Sequence, residues 1–321
     1  MEKRFILPSK VLKKYLIGTG GWAYFEIPGL HPLVAYSKAF KFVEVNSTFY
    51  QIPRLEEVER WRKLVPSDFE FAVRAHRSIT HEHKLQPVEE SLEAFEKMKR
   101  ICDILNAEIL QFQTPVTFKP TQNSIDNLRS FLSSVDLGRL RIAFEIRGKD
   151  DSKLPSELIK TMQDYSMIHC VDLSKGEMPA YESDMLYTRL FGKGRHNVYQ
   201  PTDAELAEID RRALGAKTQK TAMSFHFVRM YKDAARMKIY KETGRFPTVT
   251  RSTGLASLEE VLREDAKFPN TRQELIESQG WKLFDLTADE RVHARDLLQR
   301  LPERTYNDIN DVMHTLYSVA R

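Results

Sequence analysis

Eight short apolar runs, each followed by a longer stretch, organise the first three quarters of the chain. They lie at residues 15–22, 42–47, 69–76, 108–114, 140–147, 167–173, 185–191 and 221–227. Between them, apolar residues recur at helical spacing. In 91–105, Leu92, Phe95, Met98, Ile101, Cys102 and Leu105 share one face, and 203–214 repeats the pattern. Ser124-Ile125-Asp126-Asn127 precedes another helix, and Pro155 opens one more. Strand and helix in alternation predict a parallel α/β fold. Eight such units, over roughly 15–242, match the size of a closed (β/α)8 barrel of TIM type. An open doubly wound sheet would carry a glycine-rich phosphate turn after its first strand. Here that strand ends Gly18-Thr19-Gly20-Gly21-Trp22, which lacks the G-x-G-x-x-G spacing and sets an indole where a pyrophosphate would lie.

The pattern changes near residue 245. Arg245-Phe246-Pro247-Thr248-Val249-Thr250 reads as a linker, and short helical segments without strands follow it. Thr287-Ala288-Asp289-Glu290 has the form of a capping box, and 307–320 supports a last helix. Each segment is too short to be stable alone, so each must pack against something. The expected division is a barrel domain at 1–245 and a linker with a small α-helical appendage at 246–321.

Strands of a parallel barrel are covered on both faces and should be apolar throughout. Several of these are not, and the interruptions have a period of two. Glu44 and Asn46 share one parity while Val43 and Val45 take the other. Arg74 and His76, Gln111 and Gln113, and Glu145 and Arg147 repeat this on the next three runs. Asp172 shares parity with Cys170, Arg189 with Tyr187, and His226 with Ala222 and Ser224. The apolar parity must meet the helices, so the polar parity points into the barrel. The polar residues also fall late in each run, towards the face where barrel enzymes keep their active sites. A buried ion-pair network is the plain alternative, but such networks seldom stabilise more than apolar packing would.

Bulk properties narrow the setting. The 321 residues carry 49 Lys plus Arg against 45 Asp plus Glu, a net charge of +4, which tolerates a polyanionic partner without demanding one. Two cysteines, Cys102 and Cys170, cannot build a disulfide framework or a zinc cage and fit a reduced, cytoplasmic location. The opening apolar run stops at Pro8, short of a signal-peptide core, and no stretch approaches the roughly 18 apolar residues of a membrane span.

Several of these runs also resemble one family. Ile17-Gly18-Thr19-Gly20-Gly21-Trp22, Phe42-Val43-Glu44-Val45-Asn46-Ser47-Thr48-Phe49-Tyr50, Trp61 with Val65-Pro66, and Ile79-Thr80-His81 follow in the order found in the YecE-like family, domain of unknown function 72. Leu110-Gln111-Phe112-Gln113-Thr114-Pro115, Ala143-Phe144-Glu145-Ile146-Arg147 and Tyr187-Thr188-Arg189-Leu190-Phe191-Gly192 continue the match. The resemblance implies a barrel and supplies no established activity. The family's eighth strand ends in a Phe-Asn-Asn-like run, where this chain has Phe225-His226-Phe227 and so an imidazole in place of an amide. The tail, from Phe268-Pro269-Asn270 to Tyr306-Asn307-Asp308, is similar to a second small helical module, domain of unknown function 2795.

The mouth so drawn offers acid/base chemistry. Glu44 and Glu145 on different strands are candidates for acid and base, with Asp172 and His226 as further catalytic groups. Arg74, Arg147 and Arg189 would clamp a small anionic or sugar-phosphate substrate, with Asn46, Gln111, Gln113 and His76 beside them. Trp22 and Tyr50 could stack on a sugar or a base, or simply plug the loop layer. His81 and His83 fit a solvated loop. Glu44, His76, Glu145, Asp172 and His226 are also donors suited to a divalent metal, although three arginines oppose a cation there. The leading expectation is a hydrolase- or isomerase-type enzyme acting on a small anionic, sugar-phosphate or nucleic-acid-derived substrate. The other is a nucleic-acid-binding or scaffold protein without catalysis, whose binding would fall steeply with salt.

Overall fold

The computed structural model describes residues 13–147, 153–194 and 197–319. The opening segment and Ala320, at the end of the expected last helix, lie outside them. Eight strands form one sheet: β1 (Lys14–Thr19), β2 (Phe42–Val45), β3 (Glu70–Arg74), β4 (Ile109–Gln113), β5 (Arg141–Glu145), β6 (Ile168–Cys170), β7 (Met185–Leu190) and β8 (Lys220–Phe225). Their order is β6-β5-β4-β3-β2-β1-β8-β7. A parallel bridge between Val171 and Thr188 joins the two ends, with Val171 N–H donating to Tyr187 O at 3.4 Å and Arg189 N–H to Val171 O at 3.2 Å. The chain is thus a (β/α)8 barrel with a mainly helical C-terminal appendage, as the alternation of runs predicts.

The connecting helices are α1 (Pro32–Ala39), α2 (Leu55–Lys63), α3 (Glu89–Leu105), α4 (Gln122–Ser133), α5 (Ser156–Asp164), α6 (Asp203–Gly215) and α7 (Met230–Thr243). The link from β6 to β7 is the exception, holding a single 3-10 turn at Leu173–Lys175. Asp172 caps that turn, and Gly176 ends it in the left-handed region at φ 85°. Helix α4 starts before the expected Ser124, because Thr121 is its cap and accepts from Ser124 N–H at 3.4 Å.

Parity sorts the barrel as period-two reasoning requires. Leu16, Phe42, Ala72, Ile109, Ala143, Ile168, Cys170, Met185, Tyr187 and Ala222 form one buried apolar cluster from all eight strands. Glu44, Arg74, Gln111, Glu145 and Arg189 stand two residues further along five of those strands, on the same face. The interior is therefore apolar below and polar above. Strands β1 and β2 meet closely at Gly18, where a Cβ would lie 2.0 Å from Phe42 O. The Tyr36 hydroxyl ties the same corner, donating to Phe42 O at 2.8 Å and accepting from Thr19 N–H at 2.9 Å.

The chain divides into two compact units. One comprises Met1–Arg189 and Arg212–Ser224, and the other Leu190–Arg211 and Phe225–Arg321. The second unit adds α8 (Gly254–Arg263), β9 (Asn270–Thr271), α9 (Arg272–Gln279), β10 (Leu283–Asp285), β11 (Arg291–His293), α10 (Arg295–Leu298), β12 (Thr305–Tyr306) and α11 (Ile309–Val319). Leu258, Leu262, Leu275, Phe284, Leu298 and Tyr306 anchor its core. Two features correct the strandless tail expected above. β10 pairs with β11 and β9 with β12, both antiparallel. Thr287–Glu290 is the β10–β11 turn, where Leu286 and Thr287 N–H donate to Glu290 O at 2.8 and 3.2 Å, so it caps no helix. The capping box belongs instead to α9, between Thr271 and Glu274. The linker is pinned as well: Val249 and Thr250 N–H donate to the buried Asp285 carboxylate at 2.9 and 2.7 Å.

Candidate anion-binding site at the barrel mouth

The polar layer is built around one guanidinium. Arg189 on β7 is 2% exposed and lies between two carboxylates, Glu44 from β2 and Glu145 from β5. Its Nε donates to Glu44 Oε1 at 3.0 Å, and its Nη1 bonds Glu145 Oε2. The Glu44 side chain is wholly buried and also accepts from the Tyr187 hydroxyl at 2.6 Å. Burial and the adjacent Glu44 charge push the Tyr187 phenol well above its ordinary range, so it remains a donor. Although burial acts against its charge, the two carboxylates hold Arg189 firmly protonated.

Amides extend the layer. Gln111 and Gln113 of β4 donate to Glu145 Oε2 and Oε1, each at 3.1 Å. Asn46, just past β2, donates to Gly20 O at 2.9 Å and accepts from Arg189 Nη2 at 3.3 Å. Arg147 brings Nε to 3.7 Å from Glu145 Oε1 and has 42% of its side chain exposed.

Arg74 on β3 differs from Arg189. Its Nη2 bonds Gln113 Oε1, its Nη1 reaches Asn46 Oδ1 at 3.5 Å, and its Nε is buried without a partner. Its guanidinium lies 3.7 Å from the centre of the Phe49 ring. Burial, followed by the like charge of Arg189, lowers its pKa to about 10 despite the pull of Glu44 and Glu145. Two carboxylates thus face three guanidiniums, and the desolvated Arg74 bonds two neutral amides.

His81 belongs at this mouth, although its sequence context suggested a solvated loop. It lies on a π-turn, Ser78–Glu82, straight after β3, edge-on to Phe49 at 4.8 Å. Burial and the charges of Arg74, Arg147 and Arg77 lower its pKa, which favours the neutral ring. The available signal was position: the turn follows the C-terminal end of a strand already marked by Arg74.

Other expected residues have local partners. His76 Nδ1 is 2.8 Å from Ser78 Oγ. Asp172 lies past the end of β6, and Oδ1 accepts from Ser174 N–H at 3.0 Å. His226 stacks on Phe191 at 4.5 Å, both within the second unit. Trp22 meets Trp61 edge-on at 5.3 Å, and Tyr50 is 69% exposed. Among the described residues, no three His, Cys, Asp or Glu side chains are grouped to hold a metal ion. Of the five donors drawn from parity, Glu44 and Glu145 share Arg189, while His76, Asp172 and His226 have neighbours of their own.

Known proteins match this architecture. The family model described as "Protein of unknown function DUF72" matches residues 16–240, leaving the tail outside it. The UPF0759 protein YunF of Bacillus subtilis is 25% identical over 208 residues, covering 58% of this chain and 72% of YunF. The UPF0759 protein YecE of Escherichia coli K12 is 30% identical over 120 residues, covering 37% of this chain and 42% of YecE. Among solved structures, a DUF72 family protein from Thermotoga maritima aligns with TM-score 0.58 and 18% identity over 71% of this chain and 99% of that one. Another, from Enterococcus faecalis, aligns with TM-score 0.57 and 18% identity over 72% and 98%. With the family model spanning the barrel from its first strand to α7, the chain belongs to the DUF72 family.

Proposed function

We propose that this barrel is an enzyme acting on a small anionic substrate, a phosphate or carboxylate, held by Arg74 and Arg147. The observation that carries the reading is Arg74, a half-buried guanidinium with a buried, orphaned Nε and two amide partners. Leaving a buried charged donor unpaired costs free energy that an anion would recover through charge-assisted hydrogen bonds. Glu44 and Arg189 position the layer, since neither has a side chain open to a ligand. Glu145 is 13% exposed and is the carboxylate assigned to proton transfer, with His81 beside the anion as its partner. Asp172 and His226 have no part in this reading.

Titration of the whole chain with inorganic phosphate, and separately with acetate, tests the anion site. Arg74→Gln should weaken the better-bound anion about ten-fold or more, the scale of a charge-assisted bond. Equal affinity in wild type and Arg74→Gln would overturn the assignment. For catalysis, a screen of small phosphorylated and carboxylated compounds should yield turnover that Glu145→Gln abolishes while anion binding persists.

A further inference from the structure

A hollow of about 800 Å3 opens beside the polar layer, at the C-terminal end of β2. Tyr50, Pro53 and Trp61 give it apolar walls, and Arg54, Glu57 and Arg60 give it charged edges. Its size falls within the range of small-ligand pockets. Trp61 meets Trp22 edge-on at 5.3 Å and 77°.

The hollow adjoins Arg74 through a single turn of chain. The 3-10 turn Ser47–Phe49 places the Phe49 ring against the Arg74 guanidinium, and Tyr50 meets Phe49 edge-on at 5.0 Å. Tyr50 is thus separated from the Arg74 guanidinium by the one ring of Phe49. It is 69% exposed, a large ring left open between an anion-seeking cation and a cavity. An isolated exposed aromatic needs no explanation. Here a second aromatic, in contact with a third, lines the same cavity.

We infer that this hollow receives a planar ring carried by the same ligand whose anionic group lies on Arg74. The ligand class is a ring-bearing phosphate or carboxylate, such as an aryl phosphate or a nucleotide. Tyr50 and Trp61 supply faces and edges for stacking, which rewards any flat π-system. Arg54 and Arg60 offer donors, and Glu57 acceptors, to the heteroatoms of a heteroaromatic edge. The inference rests on the anion reading of Arg74 and adds the nature of the group attached to the anion.

The test compares inorganic phosphate, phenyl phosphate, adenosine monophosphate and glucose 6-phosphate on the full chain, read by calorimetry and by tryptophan fluorescence. Ring-bearing phosphates should bind about five- to ten-fold more tightly than inorganic phosphate, the scale of one aromatic pair. Tyr50→Ala and Trp61→Leu should each erase that advantage and leave inorganic phosphate binding as it was. Tyr50 is largely exposed, so its variant keeps the test open if Trp61→Leu fails to fold. An undiminished ring advantage in Tyr50→Ala overturns the inference, as does glucose 6-phosphate binding more tightly than both ring probes. If Arg74→Gln matches wild type on every phosphate, the anion reading falls instead. Adenosine then decides the hollow: binding that Tyr50→Ala removes supports a ring subsite, and no binding overturns it.

Discussion

Arg189 shows why a polar barrel interior need not be a binding surface throughout. Its guanidinium satisfies Glu44 and Glu145 at once, and Tyr187 and Gln111 take up remaining acceptor capacity on the same carboxylates. Removing it would leave the buried Glu44 and the largely buried Glu145 without their shared cation. Arg189→Met should therefore cost about 3–5 kcal/mol, the range for breaking a buried ion pair from one side. Urea denaturation of the variant checks this, and a loss below about 1 kcal/mol would show that the pair is not desolvated. Parity made every member of this layer legible in the sequence. It could not separate Arg189 from Arg74, because both read as an arginine late in a strand. That difference depends on which carboxylates cross the barrel to meet them. Glu44 and Glu145 arrive from β2 and β5, on strands not adjacent to β7, and single-sequence patterns carry no such pairing.

Elements were legible where a pattern repeats and less so where one side chain decides. Eight strands followed from alternation over whole runs. Asp172 misled because β6 is only three residues long, and its side chain had already turned to cap the 3-10 turn. Thr287 and Glu290 have capping-box spacing, but the same residues also suit a tight hairpin turn, and the β10–β11 ladder selects the turn. His81 was hidden because a π-turn has no sequence signature as strong as helix or strand periodicity. One strand-level prediction follows from close approach. A methyl at Gly18 would collide with the Phe42 backbone oxygen on the neighbouring strand. Gly18→Ala must push β1 from β2 and strain the Tyr36 hydroxyl bridge. A loss of about 2 kcal/mol or more is expected from overpacking against backbone. A thermal melt matching wild type would mean the strands part at little cost.

At the scale of the molecule, the tail is knitted into a unit that begins well before it. Gln200 accepts from Leu283 N–H at 3.0 Å and donates to Asp233 Oδ1 at 3.3 Å. Asp203 binds Arg236 Nη2 at 2.6 Å and also Arg291. All of these belong to the second unit, so residues 190–211 and α7 share its polar interior with the appendage. Asp233 is the weak point of that interior. Its carboxylate is fully buried, its Oδ2 has no partner, and burial raises its pKa to about 6 despite Arg236 at 2.9 Å. The folded chain therefore binds this proton more tightly than the unfolded chain, whose aspartates titrate near 3.9. Above pH 6 the charged form costs stability, on the order of 3 kcal/mol, and the cost is relieved as pH falls from 6 towards 4. Asp233→Asn keeps the shape and removes the charge, while Arg236 retains Asp203 and Pro201 O. The variant should be more stable than wild type at pH 7.5, and its advantage should shrink steadily by pH 5. Denaturant titrations at both values read this directly. A variant less stable by the same amount at each pH would show that the Arg236 ion pair outweighs the cost of burying Asp233.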